Sequence, residues 1–234
     1  MNNVSSKYIL FLIAGLGIGV FVYYLFQVPD IQIEVNQNAP VADIATPAPS
    51  ITPDNSSAPA PSNSPPGQGV VFEPIDRVLK RVTKKPFGIK ISPKDSPVSP
   101  ERFSGYHTGV DFETFSDEQK KDIPIFAVCP GKLVLKKYAS GYGGVAAQSC
   151  QIENQDVTVV YGHLRLSSIS RKLGQALKQG EQIGVLGLGY SPETDGERKH
   201  LHLGIHMGKN IVLLGYVQAP EGLNQWIDAM TLLK

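Results

Sequence analysis

The sequence lacks a strong charge of either sign. Its 234 residues include 22 Lys and Arg against 21 Asp and Glu, which gives a formal net charge of +1. Region 70–234 holds 21 of the basic and 17 of the acidic residues, a difference of +4. This is far less than the dense basic surface of a nucleic-acid-binding protein. We therefore expect a solvated surface of mixed charge and no nucleic-acid partner.

Cysteine is scarce, and neither an internal repeat nor a long amphipathic helix can be recognised. The two cysteines, Cys129 and Cys150, are too few to form a zinc site without other ligands. They are about equally far from a predicted hairpin turn at Ser140–Gly141, so we expect them to face each other near its open end. A small adjustment would allow a disulfide, and two unpaired buried thiols are the alternative.

A long uncharged run lies near the N-terminus. It extends for 21 residues, from Tyr8 to Val28, which suits one helix across a bilayer. Lys7 precedes it and favours a cytoplasmic location for residues 1–7. A cleavable signal peptide is the alternative, but it would have a shorter apolar region followed by a small-x-small site. We predict a transmembrane anchor at 8–28, with the chain that follows it on the periplasmic or cell-wall side.

The composition changes after the predicted anchor. Residues 36–69 are rich in Pro, Ser, Ala and Asn and contain no aromatic residue. Such a segment buries too little apolar surface to offset the entropy lost on ordering, and its prolines keep it semi-extended. We therefore predict a disordered stalk at 29–69, followed by a folded domain at 70–234.

The region 70–234 is predicted to be rich in β-strands. Short apolar or alternating runs bounded by turn residues occur at 131–138, 143–150, 156–164 and 199–207. Strands without regular helical crossovers favour an all-β fold, an antiparallel sheet or sandwich. We expect only short helices, at 74–82, 168–177 and 223–233.

Three of the five histidines lie within seven residues, in the run KHLHLGIHM. Since strand side chains alternate between faces, His200, His202 and His206 would share one face, and the leucines between them would face the core. His200 and His202 would lie about 6–7 Å apart at the backbone, close enough to serve one metal ion together. This spacing favours a functional pair over two structural histidines.

Two further motifs supply the remaining histidines. His107 and Asp111 form an H-x-x-x-D pattern, and His163 lies at the end of the apolar strand predicted at 156–164. Catalytic zinc needs three protein ligands from nitrogen, sulfur or carboxylate, with the fourth position open. An aspartate and two histidines satisfy that count and leave other histidines to transfer protons or stabilise an oxyanion.

The motifs PFGIK, HTGVDF, GYGG, YGHL and HLHLGI occur in an order that resembles the lysostaphin/LytM-type zinc metallopeptidases, over Pro86–Met207. The resemblance implies an antiparallel sheet of the LytM type, one zinc per domain in a groove, and metal ligands His107, Asp111 and His202. It implies catalytic roles for His163 and His200. His206 is interpreted as a pocket wall or a structural contact.

The resemblance also implies a zinc-dependent endopeptidase that hydrolyses peptide bonds in the cross-links or stem peptides of bacterial peptidoglycan. A non-catalytic wall-binding or regulatory module with structural zinc is one alternative, and a zinc peptidase acting on proteins is another. Two segments, 113–131 and 187–203, are longer than is usual in the family. We expect both near the groove, where they would narrow it, select the substrate or cover the site.

Overall fold

The computed structural model describes residues 71–233. The predicted cytoplasmic N-terminus, the anchor at 8–28 and the stalk at 29–69 lie outside the described residues. Within 71–233, every helix is too short to span a membrane.

Strands account for most of the regular structure of residues 71–233. In chain order they are β1 (Lys90–Ile91), β2 (Gly105–His107), β3 (Gly109–Glu113), β4 (Pro124–Phe126), β5 (Gly131–Ala139), β6 (Gly143–Ile152), β7 (Gln155–Gly162), β8 (Ala176–Leu177), β9 (Gln182–Val185), β10 (His200–Met207), β11 (Tyr216–Val217) and β12 (Trp226–Ile227).

Every pairing between these strands is antiparallel. The main sheet has the order β12-β10-β7-β6-β5-β8, and β3 pairs with the same edge of β10 as β12 does. A three-stranded sheet, β1-β2-β11, and a two-stranded sheet, β4-β9, complete the fold. The prediction of an all-β, antiparallel architecture is confirmed.

The helices within 71–233 are all of the 3-10 type, at Val78–Lys80, Ser116–Glu118, Leu166–Ser168, Pro192–Thr194, Pro220–Gln225 and Ala229–Thr231. The helices expected at 74–82 and 223–233 are therefore reduced to short 3-10 turns. The prediction of a helix at 168–177 is wrong. Left-handed backbone at Arg77 (φ 50°) interrupts the segment 74–82, and left-handed backbone at Gly174 (φ 82°) interrupts the segment 168–177. At Trp226–Ile227 the backbone pairs with β10 instead.

The centre of the main sheet forms the hydrophobic core. Leu201, Leu203 and Ile205 of β10 are buried there together with Phe112 of β3 and Tyr161 of β7. The prediction that the leucine face of the histidine-rich strand packs into the core is confirmed. The histidine face is consequently held on a rigid support.

The β5–β6 hairpin carries the two cysteines, which form a disulfide with a Cα–Cα distance of 6.2 Å. In the ladder, however, Cys150 faces Gly131, two residues after Cys129. The turn lies between the paired residues Ala139 and Gly143 and contains Ser140–Gly141, as predicted. The disulfide therefore closes from just before β5 rather than between directly opposed residues.

Candidate metal centre and active site

The register between β3 and β10 brings Asp111 opposite His202. His107 ends β2 and is separated from β3 by a single residue, Thr108, so the H-x-x-x-D motif extends across two sheets. Gly109 allows the close approach at this point. A Cβ there would lie 2.6 Å from the carbonyl oxygen of Leu203 and 2.8 Å from Nε2 of His202.

Three donor atoms converge at the meeting point of these strands. His107 Nε2 lies 3.0 Å from His202 Nδ1, and Oδ1 of Asp111 lies 3.2 Å from His202 Nδ1 and 3.3 Å from His107 Nε2. All three side chains are buried. Two imidazole nitrogens and one carboxylate oxygen in so small a cluster form a donor set that fits zinc.

The hydrogen bond of His107 Nδ1 determines whether Nε2, the nitrogen in the cluster, can act as a metal ligand. Its Nδ1 lies 3.2 Å from the carbonyl oxygen of Pro86 and donates to it, since a carbonyl only accepts. In the neutral imidazole, Nε2 then presents a lone pair to the cluster. An oriented, unprotonated nitrogen of this kind is what a histidine ligand supplies to a metal.

His163 and His200 lie side by side next to the donor cluster, with ring centroids 4.2 Å apart. His163 directly follows β7 and has left-handed backbone (φ 61°), which is rare outside glycine and asparagine-like residues and is typical of functional sites. His200 donates from Nδ1 to the carbonyl oxygen of Arg198 at 2.9 Å, so its Nε2 carries the lone pair. That nitrogen is 3.3 Å from Oδ2 of Asp111.

Burial and charge determine the protonation of the cluster. Burial alone would raise the pKa of Asp111, but attraction from His200, His107 and Arg198 outweighs it and holds that pKa well below its usual range. Burial lowers the pKa of His202 to about 4. Burial, followed by repulsion from His200, also holds the pKa of His163 well below its usual range. The site therefore combines an ionised Asp111 carboxylate with neutral rings at His163 and His202, and ionised carboxylate and neutral imidazole are the forms that bind metal.

A groove with a cavity volume of about 260 Å³ opens over the cluster. Asp111, His163, His200 and His202 line it, and His107 contacts its wall through Tyr216, with ring centroids 5.2 Å apart. The other lining residues are Lys85, Phe103, Ser104, Ser140, Gly141, Tyr142, Glu197, Arg198, Leu213, Leu214, Gly215, Tyr216 and Gln218. The structure thus brings the five predicted site residues together at one groove.

His206 lies apart from these five. Its ring packs edge-on against Trp226, with centroids 4.9 Å apart and an interplanar angle of 80°, and it is not among the residues that line the groove. Trp226 also covers Gly204, the residue between His202 and His206 on this face. The structure places His206 in a packing contact.

The two long segments, 113–131 and 187–203, differ in whether they contribute residues to the groove. Within 113–131 no residue lines the groove. Lys199 anchors this segment, because its buried ammonium group donates to the carbonyl oxygens of Glu118, Gln119 and Lys121. The segment 187–203 does reach the groove, through Glu197 and Arg198 ahead of the histidines. Arg102 holds it there, with Nη2 2.9 Å from a carboxylate oxygen of Glu197.

Sequence reasoning missed two of the groove residues with the closest contacts to the site. Arg198 donates to Asp111 at 2.7 Å, and the ring of Tyr216 packs against that of His107 with centroids 5.2 Å apart. The alternation that placed His200 and His202 on one face also places Arg198 there, so the sequence did contain a signal for Arg198. Tyr216 follows the histidine motif in a short strand, and nothing in its local sequence indicates the groove.

The chain is similar to several solved bacterial structures. The catalytic domain of lysostaphin from Staphylococcus simulans aligns with a TM-score of 0.45 at 19% identity, over 66% of this chain and 92% of that one. CbpA from L. salivarius REN aligns with a TM-score of 0.47 at 22% identity, over 71% of this chain and 95% of that one. Csd3 from Helicobacter pylori aligns with a TM-score of 0.41 at 22% identity over 65% of this chain, which spans only 36% of the Csd3 chain.

No curated protein matches the sequence. Peptidase family M23, in contrast, matches residues 105–213, a range that contains His107, Asp111, His163, His200 and His202. The predicted family resemblance is confirmed, because residues 105–213 of this chain match peptidase family M23.

Proposed function

We propose that this chain is a zinc-dependent endopeptidase that hydrolyses peptide bonds in the cross-links or stem peptides of bacterial peptidoglycan. The observation that carries the proposal is the buried cluster of His107, Asp111 and His202, next to the paired rings of His163 and His200 at the floor of a groove. The match of residues 105–213 to peptidase family M23 supports a peptidase, and the donor set supports zinc as its metal.

His107 would bind zinc through Nε2, His202 through Nδ1 and Asp111 through Oδ1, because these are the three converging atoms. Three protein ligands leave a coordination position open, as in other catalytic zinc sites. When bound, zinc supplies Lewis acidity, which polarises a carbonyl and lowers the pKa of water.

His200 and His163 would handle the protons of the reaction. The Nδ1 proton of His200 is donated to the carbonyl oxygen of Arg198, so in the neutral ring Nε2, which is 3.3 Å from Oδ2 of Asp111, would accept a proton at the groove floor. His163 has no partner for Nδ1 among the described residues, and its neutral ring can donate a hydrogen bond to an oxyanion or pass on a proton. Either role suits a ring 4.2 Å from that of His200.

We further propose that the chain works outside the cytoplasm. An anchor at 8–28 and a stalk at 29–69 would hold the domain away from the membrane, within reach of the cell wall. The disulfide between Cys129 and Cys150 supports an oxidising compartment. Peptidoglycan peptide would then be the substrate partner, and the N-terminal helix the membrane contact.

The test is digestion of purified peptidoglycan by the full-length chain loaded with zinc. We expect soluble peptide-containing fragments, and a loss of rate of about 10²–10⁴-fold in His200→Ala, since this variant removes a proton-transfer group. His200→Ala should still bind zinc, because His200 is not one of the three converging donors. His206→Ala is the matched control from the same strand face and should keep its activity.

Two outcomes would contradict the proposal. One is stoichiometric zinc with no release of fragments, which favours the wall-binding or regulatory module. The other is full activity in His200→Ala, which would show that this ring has no role in the chemistry.

A further inference from the structure

Arg198 makes the strongest contact to the candidate metal centre from outside the five site residues. Its Nη2 donates to Oδ2 of Asp111 at 2.7 Å, and its Nε donates to both carboxylate oxygens of Glu113 at 2.9 Å. The side chain is only 10% exposed, and that of Glu113 only 12%. Charge-assisted hydrogen bonds with this forked geometry are strong and strongly directional.

The strand pattern explains the contact. Asp111 and Glu113 are two residues apart in β3 and point to the same face. In the facing strand they lie opposite His202 and His200. Arg198 is two residues before His200, and its long side chain reaches back across the ladder to both acids.

This contact divides the two oxygens of Asp111 between different partners. Oδ1 lies 3.2 Å from His202 and 3.3 Å from His107, within the donor cluster. Oδ2 accepts from Arg198 and is 3.3 Å from His200 Nε2. A carboxylate held in this way cannot turn both oxygens toward the cluster without breaking the bond to Arg198.

We propose that Arg198, held by Glu113, is a positioning residue that makes Asp111 a metal ligand through Oδ1 alone. The inference rests on the zinc centre of the proposed function but not on its substrate. Since the charge of Glu113 balances that of Arg198, the pair adds no net charge around the metal centre, and the effect proposed here is the orientation of Asp111. A ligand restricted to one oxygen also keeps a coordination position free for the reaction.

The first test measures the zinc dissociation constant of the full-length chain by competition with a chromophoric chelator. The double variant Arg198→Met/Glu113→Gln removes both charges together, so the net charge around the metal is unchanged. We expect zinc affinity to fall by about 10–100-fold, the usual effect of losing a group that orients a metal ligand. An affinity equal to that of the wild type would overturn the proposal.

The matched control is Arg102→Met/Glu197→Gln. This double variant removes another Arg–Glu pair at the groove, in which Nη2 of Arg102 lies 2.9 Å from the Glu197 carboxylate. Arg102 contacts Glu197 and Asp195 and no predicted metal ligand. Its zinc affinity should match that of the wild type. An equal loss in both double variants would indicate a general effect of groove stability and would overturn the specific role of Arg198.

The second test needs no variant. In a crystal structure of the zinc-loaded wild type we expect one Asp111 oxygen at about 2.0–2.2 Å from zinc and the other still bonded to Arg198. Two oxygens at similar distances, or Arg198 turned away, would overturn the proposal. A chain that binds no zinc would overturn the metal centre and this inference together, whereas the expected coordination without hydrolysis would overturn only the proposed function.

Discussion

Asp111 lies directly opposite His202 in the ladder between β3 and β10, with its Oδ1 3.2 Å from the imidazole Nδ1. The two residues are 91 positions apart in the sequence. Backbone pairing sets their separation, so the side chains need little further ordering to meet. The metal centre is therefore largely formed by the sheet itself.

Replacing Asp111 with asparagine should abolish stoichiometric zinc binding. The substitution keeps the size of the side chain but removes the negative charge that offsets the charge of the metal. Metal content after dialysis, measured by atomic emission, gives the readout. Asp117→Asn is the control, because Asp117 is an exposed carboxylate in the segment after the H-x-x-x-D motif. A full complement of zinc in Asp111→Asn would contradict the ligand assignment.

Gly109→Ala should destabilise the domain by about 1–3 kcal/mol, the usual cost of overpacking. The new methyl group would lie 2.6 Å from a backbone oxygen of β10 and 2.8 Å from the His202 ring. Urea denaturation of the metal-free protein measures the effect without a contribution from zinc. Gly215→Ala is the matched control, since its nearest neighbour, the Tyr142 hydroxyl, would be 3.7 Å away. Equal stability of the two variants would contradict this steric argument.

Loss of the disulfide should lower the free energy of unfolding by about 3 kcal/mol, the value expected for a closed loop of this size. Cys129 and Cys150 are 21 residues apart, and both lie at the edge of the core. The comparison is between the wild type and Cys129→Ala/Cys150→Ala under non-reducing conditions. Since neither cysteine lines the groove, zinc affinity should not change. An unchanged free energy of unfolding would contradict the prediction.

The metal-free protein should lose stability as the pH falls from about 6.5 toward 4. The folded-state pKa of His202 is about 4 and that of His163 is also well below 6.5, because burial disfavours the charged ring. Between the two pH values the unfolded chain therefore binds more protons than the folded one, which favours unfolding. Urea midpoints measured across this range test the sign. A midpoint that stays level or rises on acidification would contradict it.

Lys199→Met should loosen the segment 113–131 while leaving the zinc ligands in place. The Lys199 ammonium group donates to three backbone carbonyl oxygens of that segment, and its pKa is lowered, mainly by burial. Limited proteolysis with mass spectrometry should show faster cleavage within 113–131. Lys94→Met removes an exposed lysine elsewhere and serves as the control. Equal cleavage rates would show that Lys199 does not hold the segment.

The sequence predicted the strands around the site well, because alternation and turn residues are local signals. The runs at 131–138, 143–150, 156–164 and 199–207 all correspond to strands of the main sheet. The helix predictions failed because contacts with distant strands, which are not local signals, decide the conformation of those segments. The segment 223–233 has a helix-like apolar pattern, but Trp226 and Ile227 give their backbone hydrogen bonds to β10, and that tertiary pairing outweighs local propensity.

The sequence by itself determined the donor types and their order along the chain, since H-x-x-x-D, the histidine after β7 and H-x-H are chemical patterns that need no coordinates. It also determined which face of β10 carries the imidazoles, because strand alternation is a property of the backbone. Only the tertiary structure decided that Oδ1 of Asp111 faces the histidines while Oδ2 is held by Arg198. The register between β3 and β10 controls that choice, and register depends on packing between strands far apart in the sequence.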